Sequence, residues 1–131
     1  MGTVKKRDFT DPEVVIKVLN GRKTTIDNIL ENLREMIQDF QLVKEDFYVD
    51  KLQKKLSKKH IEISEKDLEQ YTSQIEANVE KDTKNFVDGY ILKMNDVILD
   101  AINSKQLRKK PAHAFLVLLQ AMEAAFKKES Q

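Results

Sequence analysis

The chain has no cysteine and no tryptophan, and its 131 residues include only three glycines and two prolines. Without cysteine there is no disulfide, no thiolate metal site and no thiol nucleophile, which fits a reducing compartment and makes the cytoplasm the expected location. Glycines this scattered cannot form a phosphate-cradling loop. No apolar run approaches the roughly 20 residues needed to cross a bilayer, so no membrane partner is expected. The stretch Met1 to Thr10 is charged where a signal peptide would be apolar, and Lys6 stands where a myristoylation motif needs Ser or Thr.

Catalytic and metal chemistry is also poorly supplied. His60 and His113 are the two histidines, and neither sits in a His-Glu-x-x-His or Glu-x-x-His pattern. Asp82, Asn85 and Asp88 do not have calcium-loop spacing. The abundant carboxylates read as solvated helix faces. No catalytic residue, metal site or cofactor is therefore expected, and the chain is not expected to be an enzyme.

Scarce glycine and proline leave few interruptions, so the sequence reads as all-α, with about five helices in a small bundle. One domain spanning 1–131 is expected, residues 1–10 being a flexible basic N-terminus. Asp11 followed by Pro12 is a helix start, and Gly21 supplies the stop for a short helix carrying Val14, Val15, Val18 and Leu19. Thr24 or Thr25 can cap a second helix, whose Ile26, Ile29, Leu30, Leu33, Met36, Ile37 and Phe40 follow the spacing of one buried face. A third helix, from about Asp46 to Lys58, would bury Tyr48, Val49, Leu52 and Leu56, and Ile61 to Ile63 reads as a linker. Ser64 and Asp67 resemble a capping box opening a periodic stretch from Leu68 to Ile98. That stretch is long enough to predict either a break between Asp82 and Gly89 or a helix that packs on a partner. After a basic loop and Pro111, a final helix carries Phe115, Leu118, Leu119, Met122 and Phe126.

The formal net charge is only +1, but the charges separate into blocks. Lys51, Lys54, Lys55, Lys58 and Lys59 contain no acid among them, and Lys105, Arg108, Lys109 and Lys110 form a second basic cluster. Lys5, Lys6 and Arg7 form a third. Between the first two lies an acidic segment with Glu62, Glu65, Asp67, Glu69, Glu76, Glu80 and Asp82. On a helix Lys51, Lys54, Lys55 and Lys58 make one cationic stripe, suited to phosphates, whose neutralisation releases counterions and gives sequence-independent affinity. The same stripe also reads as a solvated face. Neither cluster has aromatics spaced for base stacking, so any nucleic-acid contact would be to backbone. A competing reading is a dimeric helical adaptor without nucleic acid, pairing through Tyr71, Ile75, Val79, Phe86 and Tyr90, which equally read as a face turned to the protein's own core.

Thr24-Thr25-Ile26-Asp27-Asn28-Ile29-Leu30 resembles the threonine-rich start and Ile/Leu-x-Asn-Ile/Leu-Leu run of the small helical subunit of type III-A CRISPR effector complexes, the Csm small subunit. Phe115, Ala121, Ala124, Phe126 and Lys127 are similar in spacing to that family's closing helix. The resemblance implies a non-enzymatic RNA-binding subunit of an antiviral ribonucleoprotein, stacked in several copies along a crRNA–target RNA duplex beside other effector subunits. Lys51, Lys54, Lys55, Lys58, Lys105, Arg108, Lys109 and Lys110 would then contact phosphates, with Arg22, Lys23 and the Lys5 to Arg7 segment as further candidates.

Overall fold

In a computed structural model, residues 8–21, 25–59 and 63–129 are described, and they form four helices. These are α1 (Pro12–Asn20), α2 (Ile26–Lys59), α3 (Glu65–Asn103) and α4 (Lys109–Glu129). The all-α class is as expected, but the helix count is four where about five were anticipated. The segments expected as a second and a third helix are one continuous α2. Of the two outcomes left open for the long periodic stretch, a break between Asp82 and Gly89 or an unbroken helix, the second holds, and it is one continuous α3. The supposed cap at Thr24, His60 and most of the Ile61 to Ile63 linker lie outside the described residues, as do Lys5, Lys6, Arg7, Arg22 and Lys23.

Local chemistry accounts for the helix ends. Asp11 accepts the Glu13 N–H at 3.0 Å and Pro12 occupies the first turn of α1, where its missing N–H costs nothing. At the other end the Gly21 N–H reaches the Val18 carbonyl. Gly21 keeps φ −67, so this stop does not draw on glycine's left-handed freedom. Thr25 Oγ1 accepts the Asn28 N–H at 3.2 Å, and Ser64 Oγ accepts the Asp67 N–H at 3.2 Å, capping α2 and α3.

The chain gathers into two compact units, one of Met1–Met36 with Val87–Gln131 and one of Ile37–Phe86. In the first, the terminal unit, α1 packs on α4. Its core takes Val15, Val18 and Leu19 from α1, Ile29 and Leu33 from α2, and Val87, Ile91, Met94, Ile98 and Ala101 from α3. Ala112, Phe115 and Leu119 complete it from α4, with Phe9 tucked in ahead of α1. The α3 set recurs at i, i+4, i+7, i+11 and i+14, a single buried stripe. Each fully buried Leu, Ile or Phe contributes about 1.5–3 kcal/mol relative to exposure.

The second unit, the hairpin unit, pairs the later part of α2 with the earlier part of α3. Phe40 stacks on Phe86 with ring centroids 4.2 Å apart and planes 9° apart, and Tyr48 donates its hydroxyl hydrogen to Asp82. Contacts that advance along α2 while receding along α3 make the pair antiparallel. Asp82 also receives Lys44 at 3.9 Å, and the Lys44 ammonium lies 5.8 and 5.6 Å from the Phe40 and Phe47 ring centres. The Asp82 hydrogen bond pushes the Tyr48 phenol above its ordinary range, with desolvation adding to it. No apolar side chain of this unit is fully buried among the described residues. Thr83 alone is, and its hydroxyl is satisfied by the Val79 carbonyl at 2.6 Å.

Candidate nucleic-acid interface

The corner between α3 and α4 concentrates the terminal unit's basic residues. After Ile102 the chain closes α3 with two bonds, Gln106 N–H to the Ala101 carbonyl at 2.8 Å and Lys105 N–H to the Ile102 carbonyl at 3.1 Å. This six-to-one and five-to-two pairing is the Schellman arrangement, whose turning residue must be left-handed and is most often glycine. Here it is Lys105, with φ 63, the one non-glycine residue at positive φ among the described residues. A side chain in that region costs about 1–2 kcal/mol.

The residues that follow add further cost. Lys109 and Lys110 were expected in a loop before Pro111, but α4 already begins at Lys109. The missing Pro111 N–H is harmless inside the first turn, which is why the helix starts ahead of the proline. Two ammonium groups therefore sit at the positive end of a helix whose first turn holds no acid, an arrangement that disfavours cations by about 0.3–1 kcal/mol each.

Arg108 donates to the Asn20 carbonyl at 3.4 Å, and the Asn20 side-chain amide donates to the Gln106 carbonyl at 2.9 Å. These two bonds hold the end of α1 against the corner. All four cations remain exposed, and none makes an ion pair among the described residues. Lys105, Arg108 and Lys109 line a hollow of about 460 Å³ with Asn20, Ile102, Gln106 and Leu107. On the other side of Arg108, an open groove of about 540 Å³ runs over Leu19, Gly21, Ile26 and Ile29 to Lys110, Pro111 and Ala114. The corner thus offers a group of cations without acidic partners among the described residues beside shallow relief, suited to anionic oxygens rather than to an enclosed ligand.

In the hairpin unit Lys51, Lys54, Lys55 and Lys58 are all exposed on α2. The stripe is not as free of acid as its sequence suggested, because Asp50, one turn earlier, pairs with Lys54 at 3.1 Å. Lys51, Lys55 and Lys58 make no ion pair among the described residues. The stripe and the corner belong to different units.

His113 is exposed on α4, and no group of three or more His, Asp or Glu side chains is placed to hold a metal among the described residues. No described helix is long and apolar enough to cross a membrane. Set against protein-family models, curated proteins and solved structures, the chain matches none.

Sequence reasoning found the four corner cations but missed the strain at Lys105. Its signal was a helix-ending Asn103-Ser104-Lys105 with no glycine available for the left-handed position.

Proposed function

We propose that this chain is a non-catalytic, sequence-independent RNA-binding protein that holds phosphates through Lys105, Arg108, Lys109 and Lys110. The observation that carries the reading is the corner's local cost: a lysine in a left-handed position and two lysines at a helix N-terminus, all without anionic partners. Non-glycine residues in such conformations tend to gather at functional sites, where a ligand repays the strain. Phosphate oxygens would relieve the repulsion among the four cations and the mismatch with the helix dipole together.

Lys51, Lys54, Lys55 and Lys58 form a second candidate track, and Arg22 and Lys23, outside the described residues, are further candidates. The resemblance of Thr24 to Leu30 and of the closing helix to the Csm small subunit supports a setting in a cytoplasmic type III-A CRISPR ribonucleoprotein. There, backbone contacts would hold crRNA and target RNA without reading them, beside other effector subunits. A helical adaptor that assembles through its own helices is the second reading, favoured by the incompletely buried seam of the hairpin unit.

Fluorescence anisotropy with labelled single-stranded RNAs of unrelated sequence tests the proposal. Expected are affinities that agree within about twofold between sequences and a joint Arg108→Glu, Lys109→Glu, Lys110→Glu variant that no longer binds. Absence of binding at low salt, or wild-type binding by that variant, would sink it.

A further inference from the structure

Among the described residues, the hairpin unit lacks what the terminal unit has, a buried apolar core of its own. Tyr48, Leu52 and Leu56 on α2 and Tyr71, Ile75 and Val79 on α3 form its seam, and every one of them is only half-buried. Leu42, Val43 and Phe47 are 59%, 66% and 55% exposed. Two helices in contact along one seam leave the flanks of that seam wet, and helices gain most of their stability in water by packing an apolar face.

The flanks are also sorted by charge. On α2, Phe47, Lys51, Lys54 and Lys58 recur at i, i+4, i+7 and i+11, a cationic stripe along one side of the seam. On α3, Glu65, Glu69, Glu76 and Glu80 recur at i, i+4, i+11 and i+15, and all are exposed. The register set by Phe40 with Phe86 and by Tyr48 with Asp82 brings Lys51 to Lys58 level with the Glu69 to Glu76 stretch of α3. Yet no ion pair joins the two stripes among the described residues. Helical periodicity explains why: each stripe lies about 100° round its helix from the seam, and in antiparallel helices these offsets point to opposite faces of the hairpin. Leu42 and Val49, seven residues apart on α2, lie on the flank that shares its face with the glutamates.

We infer that, in the absence of RNA, this unit is a self-association surface, the cationic face of one hairpin seating on the anionic face of a second copy of this chain. The occupant is set by complementarity. The cationic face offers lysines around Phe47, and the anionic face offers glutamates beside Leu42 and Val49, so each carries the counterpart of the other's charges and an apolar patch for the other to cover. A surface that meets a different surface of its neighbour is heterologous, so it adds copies head to tail and does not close at two. Opposed charges across the contact fix register and partner choice, while burial of the flanks supplies the attraction. The inference goes beyond the RNA reading, which rests on the corner of the other unit.

Sedimentation velocity on the RNA-free full-length chain, over a concentration series at low salt, tests it with two variants. One carries Lys51→Glu, Lys54→Glu and Lys58→Glu, and the other carries Glu65→Lys, Glu69→Lys and Glu76→Lys. Wild type is expected to sediment as a mass that grows with concentration past a dimer, and each variant alone as a monomer with unchanged helical circular dichroism. Mixed one to one, the variants are expected to associate again, because each supplies the charge the other has lost. A wild type that stays monomeric at about 100 µM overturns the inference and leaves the seam to another protein or to RNA. So does association that neither reversal weakens, or a mixture that fails to reassociate although both variants are helical.

Discussion

Replacing Lys105 with glycine should make the protein more stable while weakening its hold on RNA. At φ 63 the lysine bears a steric cost of about 1–2 kcal/mol that glycine does not. Glycine returns part of this, roughly 0.5–1 kcal/mol, by loosening the unfolded chain. The net gain expected for Lys105→Gly is therefore about 0.5–1 kcal/mol, visible in urea unfolding followed by circular dichroism as a higher midpoint at unchanged slope. Lys105→Ala is the control, since it removes the same charge but keeps a Cβ in the left-handed region. Relief of repulsion from Arg108, Lys109 and Lys110 is common to both variants, so the difference between them isolates the backbone. Both should lose one phosphate contact, lowering the salt slope of RNA binding by about 0.7. An alanine variant as stable as the glycine variant would refute the strain argument, and with it the reason for singling out this corner.

Gly89 lies inside continuous α3, and a Cβ built there meets nothing within 4 Å, so Gly89→Ala should stabilise the terminal unit by about 0.5–1 kcal/mol in the same urea assay. Phe115 is 0% exposed at the centre of that unit, and Phe115→Ala should cost about 3–5 kcal/mol, read as a fall in urea midpoint. Burial, reinforced by the negative charge of Asp8, pushes the Tyr90 phenol well above its ordinary value of 10.0. A phenol held protonated in the fold adds stability that is complete below pH 10 and is lost as pH rises towards the folded-state value, because the unfolded chain ionises first. Tyr90→Phe should accordingly shrink the loss of stability between pH 10 and 12 without abolishing it, since Tyr48 is shifted in the same direction. An alkaline unfolding profile identical to wild type would contradict this.

The helices were legible where one residue pattern carried the signal. Asp11-Pro12, Thr25 and Ser64 announce helix starts through short-range hydrogen bonds that need no tertiary partner. The apparent boundary between a second and a third helix arose because Gln41 and Lys44 occupy half-buried positions where the periodicity calls for apolar residues. Lys44 is accommodated there by Phe40 and Phe47, its neighbours one turn to either side on α2, and by Asp82 of α3, the last a contact that exists only once α2 and α3 pair. Likewise the length of the stretch from Leu68 to Ile98 left a break between Asp82 and Gly89 open, and packing does not require one. Thr83 tolerates burial by bonding its hydroxyl to the preceding turn, and Gly89 is an ordinary helical residue.

The candidate site was legible as composition and not as geometry. The cluster from Lys105 to Lys110 is plain in the sequence, but its division between a left-handed turn and the first turn of α4 depends on where α4 begins. That start is influenced by Asn20 and Arg108, residues far apart in the chain that bond across the corner. The pairing of Lys54 with Asp50 shows the opposite case, a local contact readable from four-residue spacing that reduces the stripe's free charge.

The most direct test of the RNA reading is the salt dependence of binding to one single-stranded RNA, for wild type and for a variant with Lys105, Arg108, Lys109 and Lys110 all changed to alanine. If these four cations each neutralise a phosphate, the logarithmic slope of affinity against salt should become shallower by about 2–3 in the variant. An unchanged slope would mean that the corner does not touch the RNA backbone and would contradict the account.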